Sequence, residues 1–141
     1  MSEEQTQQLM QQMQMLENYF VDISQRESTL LSVLREAVAA IESIKSLSLK
    51  SNSDSLVPIG MGAYVQTKIS SNDKIVLNIG AGVAIEKNSI SAMNYLEARI
   101  KEIEVALQDN TAKKQDILYR LEQGKQRLNQ ILEDSSQNIS G

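Results

Sequence analysis

Apolar residues in the first third of the chain recur at alternating steps of four and three. They run Leu9, Met13, Leu16, Phe20, Ile23, then a polar Glu27, then Leu30, Leu34, Ala37, Ile41 and Ile44. That is a heptad seam, the mark of a coiled-coil helix, and so narrow an apolar stripe requires a partner helix. The pattern fades over residues 46–55, where Ser and Asn cluster as a helix end and loop. It returns as Met93, Leu96, Ile100, Ile103, Leu107, then the polar Asn110 and Lys114, then Ile117, Leu121, Gly124, Leu128 and Ile131. The period ends after Asp134.

Between the two seams the period changes to two. An apolar run at 55–59, an alternating run at 63–70, another at 74–79 and a short one at 83–86 are separated by Gly60-Met61-Gly62, Ser71-Asn72-Asp73 and Gly80-Ala81-Gly82. Strand-like runs punctuated by Gly, Asn and Asp at this spacing predict two successive β-hairpins. Val65 and Ile69 fall on one face of the second run, with Thr67 between them, and Ile75, Leu77 and Ile79 fall on one face of the third. A lone hairpin is marginal in water, and no further amphipathic helix is available to cover these faces. The hairpins are therefore expected to meet other subunits, and Val65, Ile69, Ile75, Leu77 and Ile79 are the candidate assembly residues. Pro58, which lacks an N–H, is expected at an edge or bulge.

The predicted fold class is α+β: an N-terminal coiled-coil helix over 1–50, two hairpins over 54–87, a C-terminal coiled-coil helix over 88–135 capped by Asn88 or Ser89, and a flexible tail over 136–141. Each helix is roughly 70 Å long at 1.5 Å per residue. Matched helices around a compact connector favour an antiparallel pair over a parallel homodimer. The polar seam positions select a register. If facing residues sum to about 137, Leu16 meets Leu121, Glu27 meets Asn110, and Lys114 lies in the adjacent layer. A slip of one heptad would set Asn110, Lys114 and Glu27 against Leu34, Leu30 and Ile117. Glu27, Asn110 and Lys114 are thus candidate register residues. The alternative is that all three bend out to water, as long polar side chains can.

Composition narrows the chemistry. The chain has no Cys and no His, so thiol nucleophiles, imidazole bases, disulfides and ordinary zinc sites are excluded. Its carboxylates lie along helix faces beside Lys and Arg, as with Glu97, Glu102 and Glu104 near Arg99 and Lys101. The two Gly-x-Gly triplets do not open a strand-to-helix turn and read as hairpin turns rather than a dinucleotide fingerprint. No enzymatic constellation, cofactor site or metal site is expected. A net charge of −4 with scattered Lys and Arg argues against nucleic acid. The polar, acidic start and the lack of a long apolar run predict no signal peptide and no membrane span, hence a cytoplasmic protein in which the Asn138-Ile139-Ser140 glycosylation triplet is idle.

The order helix, two hairpins, helix, together with Leu56-Val57-Pro58-Ile59-Gly60-Met61-Gly62-Ala63-Tyr64-Val65 and Val76-Leu77-Asn78-Ile79-Gly80-Ala81-Gly82-Val83-Ala84-Ile85-Glu86-Lys87, resembles the archaeal prefoldin alpha subunits across essentially the whole chain. The hairpin segments are the specific part of the likeness, and two hairpins rather than one point to the alpha class. The resemblance implies an ATP-independent chaperone, a holdase hexamer of two alpha and four beta subunits whose hairpins join in an intersubunit double β-barrel. It implies coiled-coil tips that hold non-native polypeptides and pass them to a group II chaperonin. By position it assigns client contact to Leu9, Met10, Met13, Met15 and Leu16 on one helix and to Leu128, Ile131 and Leu132 on the other. Leu9, Met13, Leu16, Leu128 and Ile131 would equally serve to complete the seam. Met10, Met15 and Leu132 lie off it and are the better candidates for exposed contact. The alternative function is a structural stalk, a coiled coil with a β oligomerisation head.

Overall fold

The computed structural model describes residues 3–140, with side chains through Gln137. The glycosylation triplet's side chains and Gly141 of the expected tail lie outside the described residues. Helix α1 (Glu3–Ser48) leads to strands β1 (Asn52–Gly60), β2 (Ala63–Ser70), β3 (Ile75–Gly80) and β4 (Val83–Lys87), and helix α2 (Ser89–Ser140) follows. α1 stops at Ser48, whose hydroxyl donates back to the Ile44 carbonyl at 2.8 Å, a local bond that competes with continued helix. α2 starts where Asn88 Oδ1 accepts from the Ser91 N–H at 2.8 Å, a side-chain N-cap; Ser89 is already the first helical residue. Replacing Asn88 by Ala is expected to lower stability by about 1 kcal/mol, measurable as a shift of the urea midpoint at constant slope. At the other end α2 does not stop with its seam. It continues to Ser140, because no Gly or Pro interrupts residues 135–140; the pattern that predicted a tail from 136 marks the end of the apolar stripe only.

The chain divides into two compact units, Met1–Leu31 with Val105–Gly141, and Ser32–Glu104. In the first, Met13 lies against Gly124 while Asn110 bonds to Ile23. Moving forward along α1 therefore means moving back along α2, so the helices are antiparallel. Every expected seam position here is buried or half-buried, with Ile23, Asn110 and Ile117 the most enclosed. Two helices alone cannot surround a side chain, which is why no large side chain among the described residues is completely buried.

In the second unit, Ala37, Ile41, Ile44, Ala92 and Ile103 form the buried core. The strands make two separate two-stranded sheets, β1–β2 and β3–β4. Val57 faces Val65 in the first, and Leu77 faces Ile85 in the second. The two hairpins are built alike. Each closes through a two-residue turn with both φ angles positive, Met61 (52°) with Gly62 and Ala81 (52°) with Gly82, the mirror-image turn that suits the strand twist. Each also carries one extra residue just before the turn, a bulge between Pro58 and Gly60 and another between Asn78 and Gly80. Pro58 borders the first bulge, in register with Tyr64, and in the second hairpin Asn78 Oδ1 accepts from the Gly80 N–H at 3.0 Å. The two turns stand twenty residues apart as Ile59-Gly60-Met61-Gly62 and Ile79-Gly80-Ala81-Gly82, so the strand region is an internal repeat.

The hairpins are linked by a tight turn in which the Asp73 N–H donates to the Ser70 carbonyl at 3.0 Å and Asp73 Oδ2 accepts from the Ser70 N–H at 2.7 Å. This reciprocal pair fixes the point at which the chain leaves one hairpin for the next.

Candidate functional site

Two surfaces merit description, one in each unit. On the strands, large apolar side chains face solvent: Leu56, Val57, Ile59, Met61, Tyr64 and Val65 on the first hairpin, and Val76, Ile79 and Val83 on the second. So many exposed large apolar side chains on two small hairpins mark an interaction surface. Neither sheet has a third strand, so every strand also carries unpaired backbone groups on its outer edge.

The five candidate assembly residues divide. Val65 and Ile79 are exposed, whereas Ile69, Ile75 and Leu77 are half-buried. Ile69 and Ile75 stand at the hairpin bases, where they line a small cavity with Leu47 and Ser89 at the helix ends. The expectation that the chain offers no cover for its hairpins therefore needs correction for these residues. The helices do cover part of the second hairpin, since residues 78–80 line a shallow cleft with Ala37, Ala40, Leu96 and Ile103. Period-two reasoning distinguishes the faces of a strand but not its base from its tip.

In the other unit, a polar layer interrupts the apolar seam. The buried Asn110 side chain donates from Nδ2 to the Ile23 carbonyl at 3.1 Å. Lys114 Nζ donates to Glu27 Oε1 at 3.4 Å, with both side chains largely covered, and it lies 5.5 Å from the centroid of the Phe20 ring, a cation–π distance. The expected pairing of Glu27 with Asn110 is thus replaced by Glu27 with Lys114 and Asn110 with backbone. The reason is reach: Lys114 extends across a layer to the carboxylate, and the short Asn amide finds a carbonyl beside it. None of the three bends out to water.

Beyond this layer lies an open groove. Its floor is the seam, Leu9, Met13, Leu16 and Gly124. Gly124 lets the Met13 side chain seat low in this floor, since a Cβ there would meet Met13 Cγ at 3.1 Å and Sδ at 3.2 Å. One wall is formed from α1 by Gln12, Met15 and Tyr19, the other from α2 by Arg120, Gln123, Gln126, Arg127 and Gln130. Of the candidate contact residues, Leu9, Met13, Met15 and Leu16 line this groove. Leu128 and Ile131 are half-buried in the seam, and Met10 and Leu132 are exposed outside it. Tyr19, Arg120 and Arg127 escaped the sequence reading because they belong to no periodic pattern. Among the described residues no group of three or more His, Cys, Asp or Glu could hold a metal ion, and no helix is long and apolar enough to cross a membrane.

Long helices joined by two hairpins define a class, the hairpin-headed coiled-coil proteins. Within it the Prefoldin subunit family model matches residues 16–134, and the chain belongs to the prefoldin family of chaperone subunits. It is 67% identical to a prefoldin subunit alpha of Nitrosopumilus maritimus, over 98% of this chain and 95% of that protein. It is 40% identical to the prefoldin subunit alpha of Methanoregula boonei, over 63% of each. Among solved structures, a filamentous PFD from Methanocaldococcus jannaschii, determined by cryo-EM, shares the fold at a TM-score of 0.51 and 21% identity, covering 86% of this chain and 96% of that one.

Proposed function

We propose that the chain is the alpha-type subunit of a cytoplasmic, ATP-independent holdase in which two alpha and four beta subunits join their hairpins in a β-barrel platform. In this reading the ends of the helices hold non-native polypeptides and deliver them to a group II chaperonin. The observation that carries the proposal is the solvent-facing apolar surface on two hairpins that have no strand neighbours. The likeness to subunits named alpha supports it. Client holding is supported by the exposed Met10, Met15 and Leu132, 54%, 71% and 60% accessible, and by the groove beside Met15. Flexible thioethers suit varied partners, and several weak contacts repeated over linked subunits raise avidity without a strong single site. Glu27, Asn110 and Lys114 are assigned to holding the helices in one alignment.

The test is suppression of the aggregation of a chemically denatured client, without nucleotide. Changing Met10, Met15 and Leu132 to Ser leaves the seam intact and is expected to raise the chaperone concentration needed on the order of twofold, because other subunits' ends still contribute. Equal protection by parent and variant against every client tested would remove these residues from the site.

A further inference from the structure

The groove over Gly124 differs in charge from the chain that carries it. The whole protein has a net charge of −4, yet the groove walls contain two arginines and no carboxylate. Arg120 is engaged through Nε by Asp116 Oδ2 at 3.1 Å, with both side chains more than half exposed; its guanidinium keeps further donors for a second carboxylate. Arg127 forms no ion pair with an acidic side chain among the described residues. The rest of the wall is largely glutamine, whose amides bond to an extended main chain whatever its sequence. The floor is apolar, formed by Leu9, Met13 and Leu16, with the Met13 side chain seated on Gly124. From these features, and resting on the client-holding reading above, we infer that this groove receives extended non-native segments in which a large apolar residue is flanked by Asp or Glu. The apolar side chain lies on the floor formed by Leu9, Met13 and Leu16, beside Tyr19, and the flanking carboxylates face Arg120 and Arg127. Segments with Lys or Arg beside the apolar residue are disfavoured by the same two charges.

The test uses the full chain and short fluorescent peptides that share their Leu and Phe residues but carry Asp and Glu, Ser and Gln, or Lys and Arg between them. Binding is read by anisotropy at low and high salt. The acidic peptide is expected to bind roughly fivefold tighter than the neutral one at low ionic strength, the basic one weakest, and added salt to close the gap. Arg120→Gln with Arg127→Gln removes the preference and keeps the neutral peptide's affinity within about twofold, since exposed charges contribute little to apolar contact. Gly124→Ala pushes Met13 up into the groove and weakens all three peptides alike, while helical circular dichroism is retained. Equal binding of acidic and basic peptides, or a preference that survives loss of both arginines, overturns the assignment and leaves client holding intact. If no peptide binds and denatured clients aggregate as fast with the chain as without it, the underlying holdase reading falls too.

Discussion

The double substitution Val65→Asp with Ile79→Asp is expected to leave the chain as helical as the parent and unable to enter any assembly, alone or with a beta-type partner. Both side chains are exposed in the isolated chain, at 49% and 44%, with Ile79 at the edge of the cleft it shares with the helices, so most of the cost of the charges falls when the hairpins meet other strands. On assembly each carboxylate would be drawn into an apolar interface without a cation to pair with it, a penalty of several kcal/mol apiece. Applied at both hairpins, that shifts micromolar association beyond reach. Ile75 and Leu77 lie on an apolar face too, but they are half-buried within the chain. Aspartate there would mix loss of assembly with damage to the hairpin base. Light scattering reports mass and far-ultraviolet circular dichroism reports helix. A variant that still assembles would place the interface elsewhere.

The second large effect is expected at the polar layer. Replacing Glu27, Asn110 and Lys114 together by Leu should stabilise the chain by about 2–4 kcal/mol, because a partly desolvated ion pair and a buried amide give way to apolar packing. The same change removes the bonds that distinguish one register from its neighbours, Asn110 to the Ile23 carbonyl and Lys114 to Glu27. Cysteines introduced at Leu16 and Leu121 should cross-link cleanly in the parent, and at Ile23 and Leu121 hardly at all. In the triple variant both pairs should link. A triple variant that keeps the single 16–121 link, or one that melts below the parent, would show that the layer does something other than hold alignment.

How far each feature could be read from sequence follows from what encodes it. Seam membership is encoded by the 3.5-residue period, and Ile23, Ile41, Ile44, Ile103 and Ile117 are enclosed as that period demands. The hairpin turns are encoded by Gly, because only Gly readily takes the φ near 75° found at Gly62 and Gly82. Less legible was which polar groups in the seam meet, since Lys114 spans a layer and heptad arithmetic counts only Cα positions. The bulges at Ile59 and Ile79 were hidden because one extra residue leaves the alternating pattern nearly unchanged. The groove was hidden as well. Gly124 occupies a seam position and reads as a weak spot in the packing, whereas the Met13 side chain lies on it and a groove with arginines in its wall opens above that contact.

Native mass spectrometry of the chain mixed with a beta-type subunit reads out whether the two hairpins form a platform with that subunit's strands. One dominant species of two alpha and four beta chains is expected, lost when Val65 and Ile79 are both Asp. A mixture in which this chain forms only a trimer of itself, with the beta-type subunit left unbound, would rule out the shared platform and identify a coiled-coil stalk with a β head.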